Sequence, residues 1–100
     1  MKAVLTRAAV SDLAEIARQI GRDSVPAARR FTASLERRAL ARSPRVFPFA
    51  EGLEDLKIRR RLYRDYLIFF IEHGEGVKIL RIIHGARDWR TLFAQGAPVS

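Results

Sequence analysis

The chain has 100 residues, of which 19 are Lys or Arg and 11 are Asp or Glu, so its formal net charge at pH 7 is +8. It contains no cysteine, which excludes disulfide scaffolds, cysteine-ligated zinc, iron–sulfur clusters and thiol nucleophiles. Hydrophobic residues make up 48% of the chain, an ordinary share for a globular protein, so we expect one domain over residues 1–100. A basic domain of this kind is expected to bind an acidic partner, and nucleic acid is the first candidate class.

The sequence contains no segment that predicts membrane insertion. Its longest strongly apolar run, Tyr66 to Ile71, has six residues, whereas a membrane-spanning helix needs about 20. Arg7 and Asp12 interrupt the apolar residues near the N-terminus, so we expect no signal peptide. The sequence therefore predicts a cytoplasmic protein that does not contact a membrane.

The positive charge is concentrated in two segments. Residues 29–45 hold six arginines and one acid, and residues 57–64 hold Lys57 and four arginines without any acid. Each segment thus carries a net charge of +5, while the rest of the chain is slightly acidic. Such segments are commonly solvated faces of helices and strands, and they are also where an acidic partner would bind.

The N-terminal part predicts a short strand followed by two helices. Residues 3–6 are expected to form the strand, Ser11 to cap the first helix, and Gly21 to end it. Pro26 suits the first turn of a second helix, which Pro44 terminates. Because only two or three residues connect the helices, they are expected to form an antiparallel hairpin.

The C-terminal part predicts three strands and a short final segment. Residues 56–63 alternate between apolar and basic side chains, residues 66–72 are apolar on both faces, and residues 77–84 follow a glycine-rich turn. On the last strand we expect one face to carry Val77, Ile79 and Ile83, and the other to carry Leu80 and Ile82. Residues 86–94 form an amphipathic segment, and residues 95–100 a flexible tail.

The predicted fold class is α+β with the element order β-α-α-β-β-β. In this arrangement the last three strands form an antiparallel meander, and the helical hairpin covers one of its faces. The other face is expected to be open and lined by the basic side chains of residues 57–61.

The residues that could carry chemistry are few. His73 and His84 lack metal-ligand spacing, and the glycines end strands instead of forming a phosphate-binding loop, so we expect neither a metal nor a cofactor. An arginine cluster near His84 and Trp89 has the composition of a metal-free ribonuclease, because arginine binds phosphate and histidine exchanges protons. The alternative, which composition and spacing favour, is that these arginines pair with acids while Trp89 packs on the sheet.

Five stretches of the sequence together carry a family pattern. They are AAVSDLAEIA at residues 8–17, ARRF at residues 28–31 with Leu35, LEDL at residues 53–56 and, above all, YLIFF at residues 66–70 and VKILRIIHGARD at residues 77–88. With these stretches the chain resembles toxins of the ParE/RelE superfamily, and most closely the ParE-like members, over nearly its whole length. The resemblance implies a toxin of a type II toxin–antitoxin module, which arrests bacterial growth until a ParD-like antitoxin binds it.

The resemblance also bears on the cellular target, because ParE-like members inhibit DNA gyrase and RelE-like members cleave mRNA on the ribosome. RelE-like ribonucleases usually carry an arginine where this chain has Leu67, and a tyrosine where it has Phe93. Phenylalanine has no hydroxyl group and cannot exchange a proton. We therefore expect a ParE-like gyrase inhibitor that has no catalytic site of its own.

Two alternatives stay open. The first is a RelE-like, ribosome-dependent mRNA endoribonuclease, with Arg59, Arg61, Arg87 and His84 as its candidate catalytic residues; only this alternative implies direct binding to nucleic acid. The second is an inactive relic that retains only antitoxin binding.

The expected partners are a small antitoxin with an acidic, amphipathic C-terminal segment, forming a hetero-oligomer with the toxin, and DNA gyrase. The candidate antitoxin contacts are Arg29, Arg30, Arg37, Arg59 and Arg61. The candidate target contacts are Arg81, Arg87 and Trp89.

Overall fold

A computed structural model describes residues 3–20 and 44–98 of the chain, together with Pro26, Arg30, Ala33 and Ser34. Its regular elements confirm the α+β class. The strands are β1 (Ala3–Leu5), β2 (Arg59–Tyr63), β3 (Tyr66–His73) and β4 (Gly76–His84), and the helices are α1 (Arg7–Ile20) and α2 (Trp89–Ala94). Short 3₁₀ turns lie at Pro44–Val46 and Glu54–Leu56.

The four strands form one sheet in the order β1-β4-β3-β2. β3 pairs antiparallel with both β2 and β4, whereas β1 pairs in parallel with β4, placing Ala3 opposite Val77 and Leu5 opposite Ile79. The sheet is therefore mixed and has four strands, and the predicted three-stranded antiparallel sheet was too small. β1 has only three residues, which is too short for its parallel pairing to leave a pattern in the sequence.

Helix α1 begins earlier than the sequence predicts, at Arg7. The Thr6 hydroxyl accepts a hydrogen bond from the Ala9 amide (3.1 Å) and donates one to the Leu80 carbonyl (2.8 Å). Thr6 is thus the cap of α1 and also joins the helix to β4. The prediction of Ser11 as the cap is wrong, because Ser11 is an exposed residue inside the helix.

The predicted helical hairpin lies mostly outside the described residues. Pro26, Arg30, Ala33 and Ser34 have helical backbone, and the Ser34 hydroxyl is hydrogen-bonded to the hydroxyl of Tyr63 in β2. The pairing of a second helix with α1 and the predicted end at Pro44 rest on residues that the structure does not describe.

A β-bulge in β4 changes which side chains share a face. Phe69 lies opposite Arg81 and Phe70 opposite Ile79, so Leu80 is an extra residue in the pairing. Such a residue shifts the alternation of the side chains that follow it. Ile82 consequently faces the same side as Ile79, and Ile83 the same side as Leu80, which reverses the predicted faces of Ile82 and Ile83.

Apolar side chains cover both faces of the sheet. The α1-side core contains Ala9, Leu13, Ile16, Tyr63, Ile68, Phe70, Val77, Ile79 and Ile82. The α2-side core contains Ala50, Ile58, Leu67, Phe69, Leu80, Ile83, Trp89 and Phe93. The second face is therefore closed, contrary to the prediction, because α2 packs Trp89 and Phe93 against Phe69 with ring centroids 5.1 and 4.9 Å apart.

The predicted tail also takes part in the second core, since Ala97 packs against it. Within the described part of the chain, no helix is long and apolar enough to cross a membrane.

Candidate binding surface along strand β2

Strand β2 is an edge of the sheet and carries three consecutive arginines. Successive side chains of a strand point to opposite faces, and Tyr63 lies in the α1-side core. Arg59 and Arg61 therefore lie on the α1 side, where their guanidinium groups contact phenylalanine rings. Arg60 lies on the α2 side, over Trp89. The basic segment of the sequence is thus divided between the two faces of one edge strand.

Arg59 fastens the preceding loop to the sheet. Its guanidinium lies 4.1 Å from the ring centroid of Phe49, donates a 2.7 Å hydrogen bond to the Phe47 carbonyl, and lies 3.6 Å from the Glu72 carboxylate. Only 13% of the side chain is exposed. These contacts give Arg59 a structural role and partly neutralise its charge.

The charge of Arg61 is available to bind an anionic group of a partner. Its guanidinium lies 4.5 Å from the ring centroid of Phe47, and Phe47 packs edge-on against Phe70 with centroids 6.0 Å apart. Its Nε atom is buried and has no acceptor in the described part of the chain. Among the residues that the structure describes, Arg61 takes part in no ion pair. A flat guanidinium held on an aromatic ring is already oriented for an incoming carboxylate or phosphate group.

The α2 side of β2 carries an exposed apolar residue and a second guanidinium. Leu62 is 64% exposed, and the Arg60 guanidinium lies 5.8 Å from the ring centroid of Trp89. An open groove of about 460 Å³ follows this edge. Its lining residues are Phe47, Pro48, Arg60, Arg61, Leu62 and Leu67.

The three predicted target contacts lie in different surroundings. Arg81 donates two hydrogen bonds to the Asp12 carboxylate (2.8 and 2.9 Å), which raises the pKa of the Arg81 guanidinium, and Asp12 also accepts a 2.9 Å hydrogen bond from the Ile82 amide. Trp89 is buried in the α2-side core. Arg87 is exposed. Only Arg87 is openly accessible, and the role of all three in target binding stays a prediction.

The four candidate ribonuclease residues do not converge on one point. Arg59 pairs with Phe70, whereas His84 pairs with Tyr66, four positions along β3, a separation of roughly 13 Å at about 3.3 Å per residue. The exposed His84 accepts a 3.2 Å hydrogen bond from the Ala86 amide through Nδ1, and its ring centroid lies 5.6 Å from that of Tyr66.

The two positions where RelE-like ribonucleases usually carry arginine and tyrosine are occupied by core residues. Leu67 and Phe93 are both buried in the α2-side core. Neither side chain can bind phosphate or transfer a proton.

The predicted antitoxin contacts are described only in part. Arg29 and Arg37 lie outside the described residues. Arg30 is exposed on helical backbone, and Arg59 and Arg61 share the α1 side of β2.

Sequence reasoning missed the contribution of two β2 residues, Arg60 and Leu62. The alternation of the strand predicts an apolar face for both, because it does not distinguish an edge strand from a central one. The run of cations without acids in residues 57–64 is the sequence feature that indicates a binding role for Arg60. Leu62 gave no comparable signal.

Comparison with known proteins identifies a family. Residues 3–89 match the family model described as the ParE toxin of the type II toxin–antitoxin system, parDE. A comparison with curated proteins found no match.

Proposed function

The chain belongs to the family of ParE toxins of type II toxin–antitoxin systems, and on this premise we propose that it arrests bacterial growth by binding and inhibiting DNA gyrase. Its partner in the module is a ParD-like antitoxin with an acidic C-terminal segment, which neutralises it. In this proposal the toxin acts by binding and performs no bond cleavage itself.

The observation that carries the proposal is the burial of Leu67 and Phe93. A tyrosine hydroxyl at position 93 would be surrounded by Phe69 and other apolar side chains of the α2-side core. An arginine at position 67 would start in the same core and could leave it only through the groove beside β2. A polar group buried in this way destabilises the fold unless it is hydrogen-bonded. This face of the sheet is therefore suited to packing and not to cleaving a phosphodiester bond.

The direct test is a supercoiling assay with relaxed plasmid, purified gyrase and increasing amounts of the toxin. We expect supercoiling to fall as the toxin concentration rises, and to recover when the antitoxin is added. Unchanged supercoiling by a toxin that arrests growth in cells would contradict gyrase inhibition.

Arg87 is the candidate target contact best suited to substitution. It is exposed, so Arg87→Ala is expected to weaken gyrase inhibition without unfolding the protein. Arg7→Ala is the matched control, because Arg7 is also exposed and its loss changes the net charge equally. Equal inhibition by both variants would remove Arg87 from the target contacts.

The second candidate function is ribosome-dependent mRNA cleavage. The observation that favours it is the exposed His84 imidazole beside Tyr66. Primer extension on translated messages would then show cuts at fixed codon positions, and His84→Ala would abolish them. A protein that can be expressed without growth arrest would instead favour the inactive, antitoxin-binding relic.

A further inference from the structure

Among the residues that the structure describes, other segments cover only part of the outer edge of β2. The Ala50 amide donates to the Ile58 carbonyl (2.8 Å), and the Arg60 amide donates to the Pro48 carbonyl (3.0 Å). Backbone groups along a paired strand alternate between its two neighbours, so the N–H and C=O of Leu62 also point to the outer edge. Within the described part of the chain no backbone group pairs with Leu62. The loop therefore stops covering the edge at Arg60, two residues before Leu62.

Exposed strand edges are normally protected, because an open row of N–H and C=O groups invites another strand to pair with it. The exposed side chain of Leu62 and the groove bounded by Pro48 and Leu67 offer an apolar surface next to the open backbone groups. The edge therefore offers an extended chain both of the features that it needs to bind: free backbone hydrogen-bonding groups and a recess for one apolar side chain.

Cations surround this edge on both faces of the sheet. Arg61 lies on the α1 side and Arg60 on the α2 side, and neither takes part in an ion pair among the described residues. Arg64 follows in the exposed turn to β3. An incoming strand that carries carboxylates satisfies these charges, whereas a second copy of this chain would bring the same arginines against each other.

We propose that an acidic, extended segment of the antitoxin pairs with β2 at Leu62 and becomes the fifth strand of the sheet. The identity of the partner rests on the neutralisation proposed above. The residue opposite Leu62 is apolar and enters the groove, and its neighbour opposite Arg61 is acidic and lies on the α1 side. The added strand is short, because Pro48 already occupies the edge at Arg60.

Amide hydrogen exchange tests the pairing directly, using the full-length toxin alone and in complex with its antitoxin. We expect exchange of the Leu62 amide to slow by about 100-fold or more in the complex. The Arg60 amide is the internal control, because it is already bonded to Pro48 in the free toxin. An unchanged exchange rate at Leu62 in a stable complex would overturn the proposal.

A pair of substitutions tests the contribution of this edge to affinity. Leu62→Asp places a carboxylate where the acidic segment must dock, and we expect it to weaken antitoxin binding by about tenfold or more. Val4→Asp is the matched control, since Val4 is an exposed apolar residue of the other edge strand, β1. If Leu62→Asp fails to fold, Arg61→Gln provides a second variant, and we expect weaker binding from it as well. Equal affinities for the wild type and a folded edge variant would contradict the proposal.

The docking proposal and gyrase inhibition fail separately. Gyrase inhibition is measured without antitoxin, so Leu62→Asp is expected to inhibit gyrase as the wild-type toxin does. If the Leu62 amide exchanges equally fast in the free toxin and in the complex while the toxin still inhibits gyrase, only the docking proposal is wrong. If the Leu62 amide exchanges more slowly in the complex but the toxin does not inhibit gyrase, only the proposed target is wrong.

Discussion

Arg64 occupies a backbone conformation that L-amino acids rarely adopt. The two hairpins of the sheet have two-residue turns, and the first turn residue has a positive φ in both, +58° at Gly74 and +54° at Arg64. Glycine adopts such a conformation without steric conflict, whereas a residue with a Cβ atom is strained in it by about 1 kcal/mol. A strained backbone is often kept where the side chain has a function, and Arg64 lies next to the proposed docking edge.

We expect Arg64→Gly to increase the free energy of unfolding by about 0.5 to 1 kcal/mol, because the substitution relieves the positive φ. Urea denaturation of the purified toxin measures this change. Arg64→Ala is the control, because it removes the same charge and leaves the strain in place. An equal gain from both variants would show that the removal of charge, and not of backbone strain, stabilises the protein.

At the scale of the elements, Asp12 joins helix α1 to strand β4. Its carboxylate accepts two hydrogen bonds from Arg81 and one from the Ile82 amide, and both charged side chains are largely buried. Replacing Asp12 leaves an arginine and a backbone N–H without their acceptor inside the protein.

We expect Asp12→Ala to lower the free energy of unfolding by about 2 to 3 kcal/mol, and Asp12→Asn to lower it by less because an amide oxygen can still accept. The control is Glu15→Ala on the same helix, since the Glu15 ion pair with Arg18 is exposed and such pairs contribute little. Denaturant titration of the three variants compares them. A loss from Asp12→Ala no larger than that from Glu15→Ala would contradict this role.

Helix α2 begins at a carboxylate cap, Asp88. The Asp88 carboxylate accepts hydrogen bonds from the hydroxyl and the backbone N–H of Thr91, and these bonds lower the pKa of Asp88. A carboxyl whose pKa is lower in the folded state stabilises the fold fully above its unfolded pKa, about 3.9, and loses this contribution as the pH falls through the folded value.

We therefore expect α2 to loosen from the sheet as the pH falls below about 4. Trp89 is the only tryptophan of the chain and lies in the first turn of α2, so its fluorescence reports the change. Asp88→Asn cannot ionise and is expected to lose this part of the pH dependence, while the contributions of other carboxyls remain. Identical acid transitions for the wild type and Asp88→Asn would exclude Asp88 as the titrating group.

The sequence predicts the strands and the turn of the C-terminal part well. The wrong predictions concern features that contacts between distant residues determine. The strands at 66–73 and 76–84 follow from apolar runs and from the glycine turn between them. The sequence around Ser11 contains acceptable cap signals, but the Leu80 carbonyl, 74 residues away, fixes Thr6 as the cap. The bulge at Leu80 likewise depends on pairing across the sheet and leaves no local signal.

For the candidate binding surface too, the sequence predicts the local features and misses those that depend on distant contacts. Alternation correctly places Arg59 and Arg61 on one face of a strand. It does not separate Arg81 from Trp89, which are near in sequence, because only the fold shows that Arg81 is bound to Asp12 while Trp89 packs in the opposite core. The exposure of Leu62 follows from the position of β2 at the edge of the sheet, which the order of the strands decides.

At the scale of the whole molecule, the net charge of +8 is not a uniform field. Residues 57–64 carry five cations without an acid, and β2 distributes its three arginines over both faces of one sheet edge. A local concentration of charge guides an oppositely charged partner toward one surface during the encounter. The charge therefore affects how fast and in which orientation the acidic segment of the antitoxin arrives, more than how tightly it is held.

This role of the charge is measurable in the kinetics of complex formation. Salt screens charges beyond about 10 Å at 0.1 M and about 3 Å at 1 M, so we expect the association rate constant for toxin and antitoxin to fall by about tenfold or more between 0.05 and 0.5 M salt. The dissociation rate constant is expected to change much less, because apolar contacts and backbone hydrogen bonds hold the docked strand. Stopped-flow measurements with Arg61→Gln and the exposed control Arg7→Gln separate the local charge from the total charge, since both variants lose one positive charge. A salt-independent association rate, or an equal decrease for the two variants, would show that the charge along β2 does not guide the encounter.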